Sequence, residues 1–187
     1  DMAVREIKQS ESVRREYMNQ WKMAGVDVAS STYAATDPPD TAYDSGIKSI
    51  SQGRAIIDSL DGELILVLNA RDIERVYSEG RRGVIFNFQN ATPFGSDLDR
   101  IETFHNLGLR VVQLTYNLRN LLGDGCTERY QTGLTYFGRE VVETLNSKQM
   151  AVDISHCSER VGWDAIEISK APVIVTHSSS RSVCYHD

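Results

Sequence analysis

Two histidines, a tyrosine and a glutamine stand where four short apolar runs of this chain end. Gly83-Val-Ile-Phe-Asn-Phe runs into Gln89 and Val111-Val-Gln-Leu-Thr into Tyr116. Met150-Ala-Val-Asp-Ile-Ser runs into His156, and Pro172-Val-Ile-Val-Thr into His177. Imidazole is the commonest side-chain metal ligand and suits zinc and other borderline divalent ions. His156 and His177 follow successive apolar runs, so their rings could reach one ion. Asp153 precedes His156 on the same run and could orient a ligand from behind. Histidines that merely cap strands are the plain alternative. Tyr116 could donate a proton or polarise a carbonyl, or simply line a pocket. Gln89 is neutral and more natural as a hydrogen-bonding group than as a zinc ligand. Asn120, Asp124, Gly125 and Glu128 read as a solvated polar loop. His177-Ser-Ser-Ser-Arg-Ser is hydroxyl-rich and could hold an anion or form a turn.

The elements that must position these groups alternate along the chain. The β-branched runs have the length of buried parallel strands, with helix-like segments between them. Apolar residues at helical spacing predict a helix over 2–24, and a strand follows over 25–30. A proline-containing loop over 31–45 precedes a helix over 47–59 and a short apolar run at 64–68. Asn69 opens a helix ending near Gly80. Strands at 83–88, 109–115, 150–155 and 172–176 then alternate with helices at 97–106, 135–147 and 158–169. This order predicts a parallel sheet with right-handed crossovers, the (β/α) barrel type, in which the strand ends converge on one face. A closed barrel has eight strands and typically about 250 residues. Roughly five barrel-type strands are legible here, which predicts one domain over 1–187 that is part of a larger barrel.

The chain has 187 residues, 41% of them apolar and 25% charged, as in ordinary globular proteins. A net charge of −6 and a pI near 5.3, with no basic tract, argue against nucleic-acid binding. No apolar stretch approaches the roughly 20 residues of a membrane span, and the first residues lack a signal-peptide core. The compartment stays open between cytoplasmic and exported. Cys126, Cys157 and Cys184 form no Cys-x-x-Cys pair, which disfavours a zinc knuckle. No nucleophile elbow, phosphate-cradling loop or dinucleotide fingerprint is present.

Several motifs together resemble the membrane (renal) dipeptidase family of zinc peptidases. They are Leu114-Thr-Tyr-Asn-x-x-Asn120 with Asp124-Gly125, and Gly133-Leu-Thr-Tyr-Phe-Gly-Arg-Glu-Val-Val142. Val152-Asp-Ile-Ser-His156 and Ala171-Pro-Val-Ile-Val-Thr-His177-Ser-Ser-Ser-Arg-Ser-Val-Cys184 complete them. The match is continuous from about Gly83 and looser upstream. The resemblance implies a (β/α)8 TIM-barrel hydrolase that cleaves dipeptides, often tolerating a D-residue on the C-terminal side. It also implies two zinc ions and a bridging water as nucleophile, with His156 and His177 binding one zinc. Tyr116 stands where many members carry a histidine that contacts the substrate carbonyl. Gln89 stands where many carry a glutamate bridging both ions, and a neutral amide cannot offset the repulsion of two cations as a carboxylate does. The family's N-terminal His-x-Asp pair, its late aspartate and its substrate-binding arginine are expected outside this chain.

These departures predict that the 187-residue polypeptide is inactive and binds zinc weakly. Gln89 also motivates a rival reading, a non-catalytic binding module on the same barrel. A different amidohydrolase-type barrel is disfavoured by the Leu-Thr-Tyr-Phe-Gly run. The unpaired edges of a partial barrel leave homo-oligomerisation open. The preferred dipeptide and the metal count are not legible.

Overall fold

Val84, Phe86 and Phe88 are all buried on one strand that is walled in on both faces, as the inner strand of a parallel sheet requires. The structure is a computed structural model and describes residues 11–180, 182 and 183. The expected helical residues 2–10, as well as Cys184, His186 and Asp187, lie outside the described residues. Five strands form one parallel sheet: β1 (Val28–Thr32), β2 (Leu64–Leu66), β3 (Arg82–Phe88), β4 (Leu109–Gln113) and β5 (Ala151–Asp153). Strand β3 pairs with β1 along Gly83 to Asn87. Its other edge is shared, with β2 along Arg82 to Val84 and β4 from Phe86 onward. Strand β5 then pairs with β4 through Val111–Ala151 to Gln113–Asp153.

Among the described residues, six α-helices flank or connect the strands: α1 (Glu11–Met23), α2 (Ala42–Ser59), α3 (Ala70–Ser78), α4 (Asp99–Asn106), α5 (Tyr136–Ser147) and α6 (Glu159–Ile168). Side-chain caps set several starts. Asn69 and Asp72 form a capping box on α3, Thr135 caps α5 and Ser158 caps α6. Helix α2 begins at Ala42, about one turn earlier than the sequence suggests. The Pro38 carbonyl accepts from the Thr41 and Ala42 N–H groups, so the helix launches directly from the prolines. Strand β1 runs to Thr32 instead of ending at Ser30, because its ladder with β3 continues to Thr32–Asn87.

The expected strand at 172–176 is corrected. It is reduced to a single parallel bridge between Asp153 and Ile174. Two hydrogen bonds hold it, from Ile154 N–H to Ile174 O at 3.0 Å and from Ile174 N–H to Val152 O at 2.9 Å. Beneath the loop after β3 lies an aromatic cluster. The Phe88 and Phe104 rings are 4.8 Å apart, and Phe94 and Tyr43 pack against Phe104 at 6.0 and 5.6 Å. Each such buried ring contributes about 1.5–3 kcal/mol, and the cluster anchors the chain that carries Gln89 out of β3. No helix of the described residues is long and apolar enough to cross a membrane.

Candidate functional site

Strands β4 and β5 and the segment bridged to β5 at Ile174 deliver Tyr116, His156 and His177 to one end of the sheet, and their rings meet there. The His156 and His177 Nε2 atoms are 2.8 Å apart. The Tyr116 ring stacks on His156, centroids 4.4 Å apart and planes 27° from parallel. A pocket of about 380 Å³ lined by His156, His177, Cys126, Cys157 and Ser178 opens over the pair. A second cleft of about 570 Å³ lies along Tyr116, between Pro38, Asn90, Leu118 and Leu121.

What each imidazole does with its other nitrogen decides what Nε2 can do. His156 Nδ1 lies 2.6 Å from Asn117 Oδ1, which can only accept, so Nδ1 carries the proton. His177 Nδ1 lies 2.8 Å from Thr176 Oγ1. The Thr176 hydroxyl donates to Asp153 Oδ2 at 2.5 Å, so toward His177 it accepts. These tautomers are assigned from the hydrogen-bond network. Asp153 is only 3% exposed, and its Oδ1 accepts from the Ser155 N–H at 2.9 Å and the Ser155 hydroxyl at 2.7 Å. Asp153 thus stands behind His177, through the Thr176 hydroxyl. With these tautomers both Nε2 lone pairs face each other at 2.8 Å, a contact that a shared proton or a metal ion would relieve.

Zinc fits that role. With zinc–nitrogen bonds of about 2.0–2.1 Å, two ligand nitrogens on a tetrahedral ion stand about 3.3 Å apart. The pair needs to open by only about half an ångström. Among the described residues no group of three or more His, Cys, Asp or Glu side chains is placed to hold a metal. Burial pushes the Cys157 thiol up to about 11, which keeps it protonated at neutral pH.

Gln89 is half-buried at the end of β3. Its N–H donates to Ala34 O at 2.7 Å, and its carbonyl accepts from Gln113 Nε2 at 2.7 Å. No hydrogen bond joins its side chain to either histidine. Gln113 itself is fully buried and its Oε1 has no hydrogen-bond partner among the described residues.

The loop read as solvated is instead a bonded scaffold. Asp124 is 0% exposed; its Oδ2 accepts from the Thr132 and Gly133 N–H groups at 2.5 and 2.9 Å, and Arg119 pairs with Oδ1 at 2.5 Å. Burial pushes the Asp124 carboxyl up, but these N–H groups, the Thr132 hydroxyl and the guanidinium outweigh it. They hold the group below its usual range. Asn120 donates to Leu114 O and Asn90 Oδ1 and accepts from Leu122 N–H, tying the loop to β4. Glu128 Oε1 accepts from the Arg119 N–H. Asn117 and Thr176, the groups that orient the two histidines, escape a reading of the sequence. Their only signal there is position, each being next to a residue already singled out.

The family model of the membrane dipeptidases, Peptidase family M19, matches residues 13–187. This chain belongs to that family. The dipeptidase tcpJ of Claviceps purpurea is 31% identical over 133 residues, which cover 70% of this chain and 31% of the relative. Among solved structures, an amidohydrolase from Pseudomonas aeruginosa superposes with a TM-score of 0.86 at 30% identity, over 92% of this chain and 51% of that one. A metallopeptidase from Rhodobacter sphaeroides, solved with a phosphinate mimic of the dipeptide L-Ala-D-Ala, superposes with a TM-score of 0.73 at 24% identity. It shares 80% of this chain and 44% of its own, and at that identity the likeness speaks for the fold. The chain thus spans about half the length of these structures and a third of the curated relative. The parallel sheet with alternating helices is a partial TIM-type barrel of a metallopeptidase family.

Proposed function

We propose that this chain carries the central part of the catalytic face of a zinc-dependent dipeptidase. The facing Nε2 atoms of His156 and His177, each ring already committed at Nδ1, carry the reading. His156 and His177 would hold one metal ion, which when bound supplies an activated water and polarises the scissile carbonyl. Tyr116 lies against His156 with its hydroxyl uncommitted to any described residue, which suits a donor to the substrate carbonyl or to the tetrahedral oxyanion. The cleft along Tyr116 is of a size for dipeptide side chains, and the membrane dipeptidase family match with the dipeptidase tcpJ relative supports that substrate class. Gln89 would serve the metal site as a hydrogen-bonding neighbour, where a bridging carboxylate stands in many members.

Two imidazoles are fewer than the three protein ligands usual for catalytic zinc. The further ligands, a His-x-Asp pair and a late aspartate, would come from other segments of a longer protein. The 187-residue polypeptide is therefore expected to bind zinc weakly and to hydrolyse no dipeptide. Metal content by elemental analysis and dipeptide hydrolysis, measured on this polypeptide and its parent protein, test this. Hydrolysis by the polypeptide that disappears in His156→Ala would overturn it. Gln89 favours the second reading, a binding module without catalysis. A parent protein that is metal-free and inactive would establish that alternative.

A further inference from the structure

The backbone around Asn117 is bent more sharply than a polar loop requires. Leu118 N–H donates to Tyr116 O at 2.6 Å, two residues back, and Asn117 between them has φ +60°. A three-residue turn with a positive central φ is rare and strained, and asparagine is among the few non-glycine residues that tolerate such a φ. This turn sends two adjacent side chains to the same histidine. Tyr116 covers the face of the His156 ring, and Asn117 Oδ1 meets its Nδ1 edge. His156 itself has φ +58°, so both partners of this hydrogen bond sit in left-handed backbone.

A third segment locks the two together. Cys126 N–H donates to His156 O at 2.9 Å, and Gly125 bridges Cys157. On its other side the segment grips Asn117, whose carbonyl accepts from the Thr127 N–H at 3.0 Å and hydroxyl at 2.7 Å. Gly125 makes the approach possible: a Cβ there would lie 2.0 Å from Asn117 O. The Cys126 thiol also points to Asn117 Oδ1, at 3.5 Å, so two donors converge on that oxygen and fix which end of the amide faces His156.

We propose that Asn117, its backbone held by the Gly125–Thr127 segment, is a positioning residue of the metal site whose side-chain Oδ1 keeps His156 as the tautomer that ligates through Nε2. The proposal rests on His156 being a ligand, and it assigns the discrimination between its two nitrogens to a residue that touches neither metal nor substrate. A free imidazole favours protonation at Nε2, the nitrogen that must be bare here. An acceptor at Nδ1 reverses that preference before any ion arrives, and such partners are typically worth 10–100-fold in metal affinity.

Two substitutions separate the acceptor from the turn. Asn117→Gly keeps a residue that adopts positive φ and removes the acceptor, whereas Asn117→Asp keeps an acceptor at the same reach. The first readout, on the complete metal-free protein, is the nitrogen-15 spectrum of the His156 side chain, well above the ordinary histidine pKa. The second is zinc affinity by competition with a chelating dye. In the parent and in Asn117→Asp, His156 is expected to be protonated at Nδ1. In Asn117→Gly the proton should move largely to Nε2, and zinc affinity should fall about 10–100-fold. An unchanged tautomer in Asn117→Gly would overturn the proposal. So would Asn117→Asp losing zinc affinity as far as Asn117→Gly does. The tautomer readout needs no metal, so a parent protein that binds no zinc overturns the ligand assignment separately.

Discussion

Asp124 shows how a single carboxylate can hold a functional loop without taking part in chemistry. It is fully buried, yet its folded-state pKa lies below the unfolded one, because the N–H groups of Thr132 and Gly133 and the Arg119 guanidinium favour its charge. The native state therefore binds fewer protons at this residue than the unfolded state. The stabilisation is complete above the ordinary aspartate pKa of about 3.9 and is lost as the pH falls through the lower, folded value. Urea midpoints measured down a pH series should drop over that acid range in the parent protein. Asp124→Asn should flatten this acid dependence and cost about 1–3 kcal/mol near neutrality, since the loop donors lose a charged acceptor. An undiminished acid transition in Asp124→Asn would assign it to other carboxylates. His156 and His177 were legible in the sequence because each ends an apolar run. Asp124 was not, because burial by the long loop between β4 and α5 folding on itself leaves no local pattern.

At the scale of elements, periodicity revealed what needs burying, but not what it pairs with. Strands β3, β4 and β5 stand where β-branched runs place them, and α5 and α6 fit their apolar spacing within a residue or two. The run at 172–176 carries the same signal but forms one bridge, with Val175 more than half exposed. Pairing needs a neighbour on the far side, and no described strand supplies one. The loop after β3, with Pro93 and Gly95, carries no periodic signal in the sequence. It is seated on Phe88, Phe94 and Phe104. Phe104→Ala should cost about 3–5 kcal/mol in chemical denaturation, the usual result of emptying a buried aromatic site. A loss below about 1 kcal/mol would show that the cluster does not support this part of the sheet.

At the scale of the whole molecule, the described sheet is a sector of a barrel, well laddered through β1, β3, β4 and β5 and thin where His177 sits. Among the described residues, two backbone–backbone bonds, the Thr176 and His177 N–H groups donating to Asp153 Oδ1 and Ser155 Oγ, and the Asp153–Thr176–Ser155 hydroxyl contacts attach residues 174–177 to β5 and the turn after it. The two candidate ligands thus belong to regions of unequal local stability: His156 follows a laddered strand, while His177 rides on a segment that can open at little cost. An ion shared by the two rings is then thermodynamically linked to that opening, because it binds the closed arrangement and not the open one. Zinc should slow amide hydrogen exchange at residues 174–177 by the factor its occupancy dictates and leave exchange in β3 and β4 nearly unchanged. Equal protection across the sheet, or none at 174–177, would contradict this linkage. Under the proposed metal site, an ion held by His177 would complete the sheet at its edge, and metal loading would be the last step of folding.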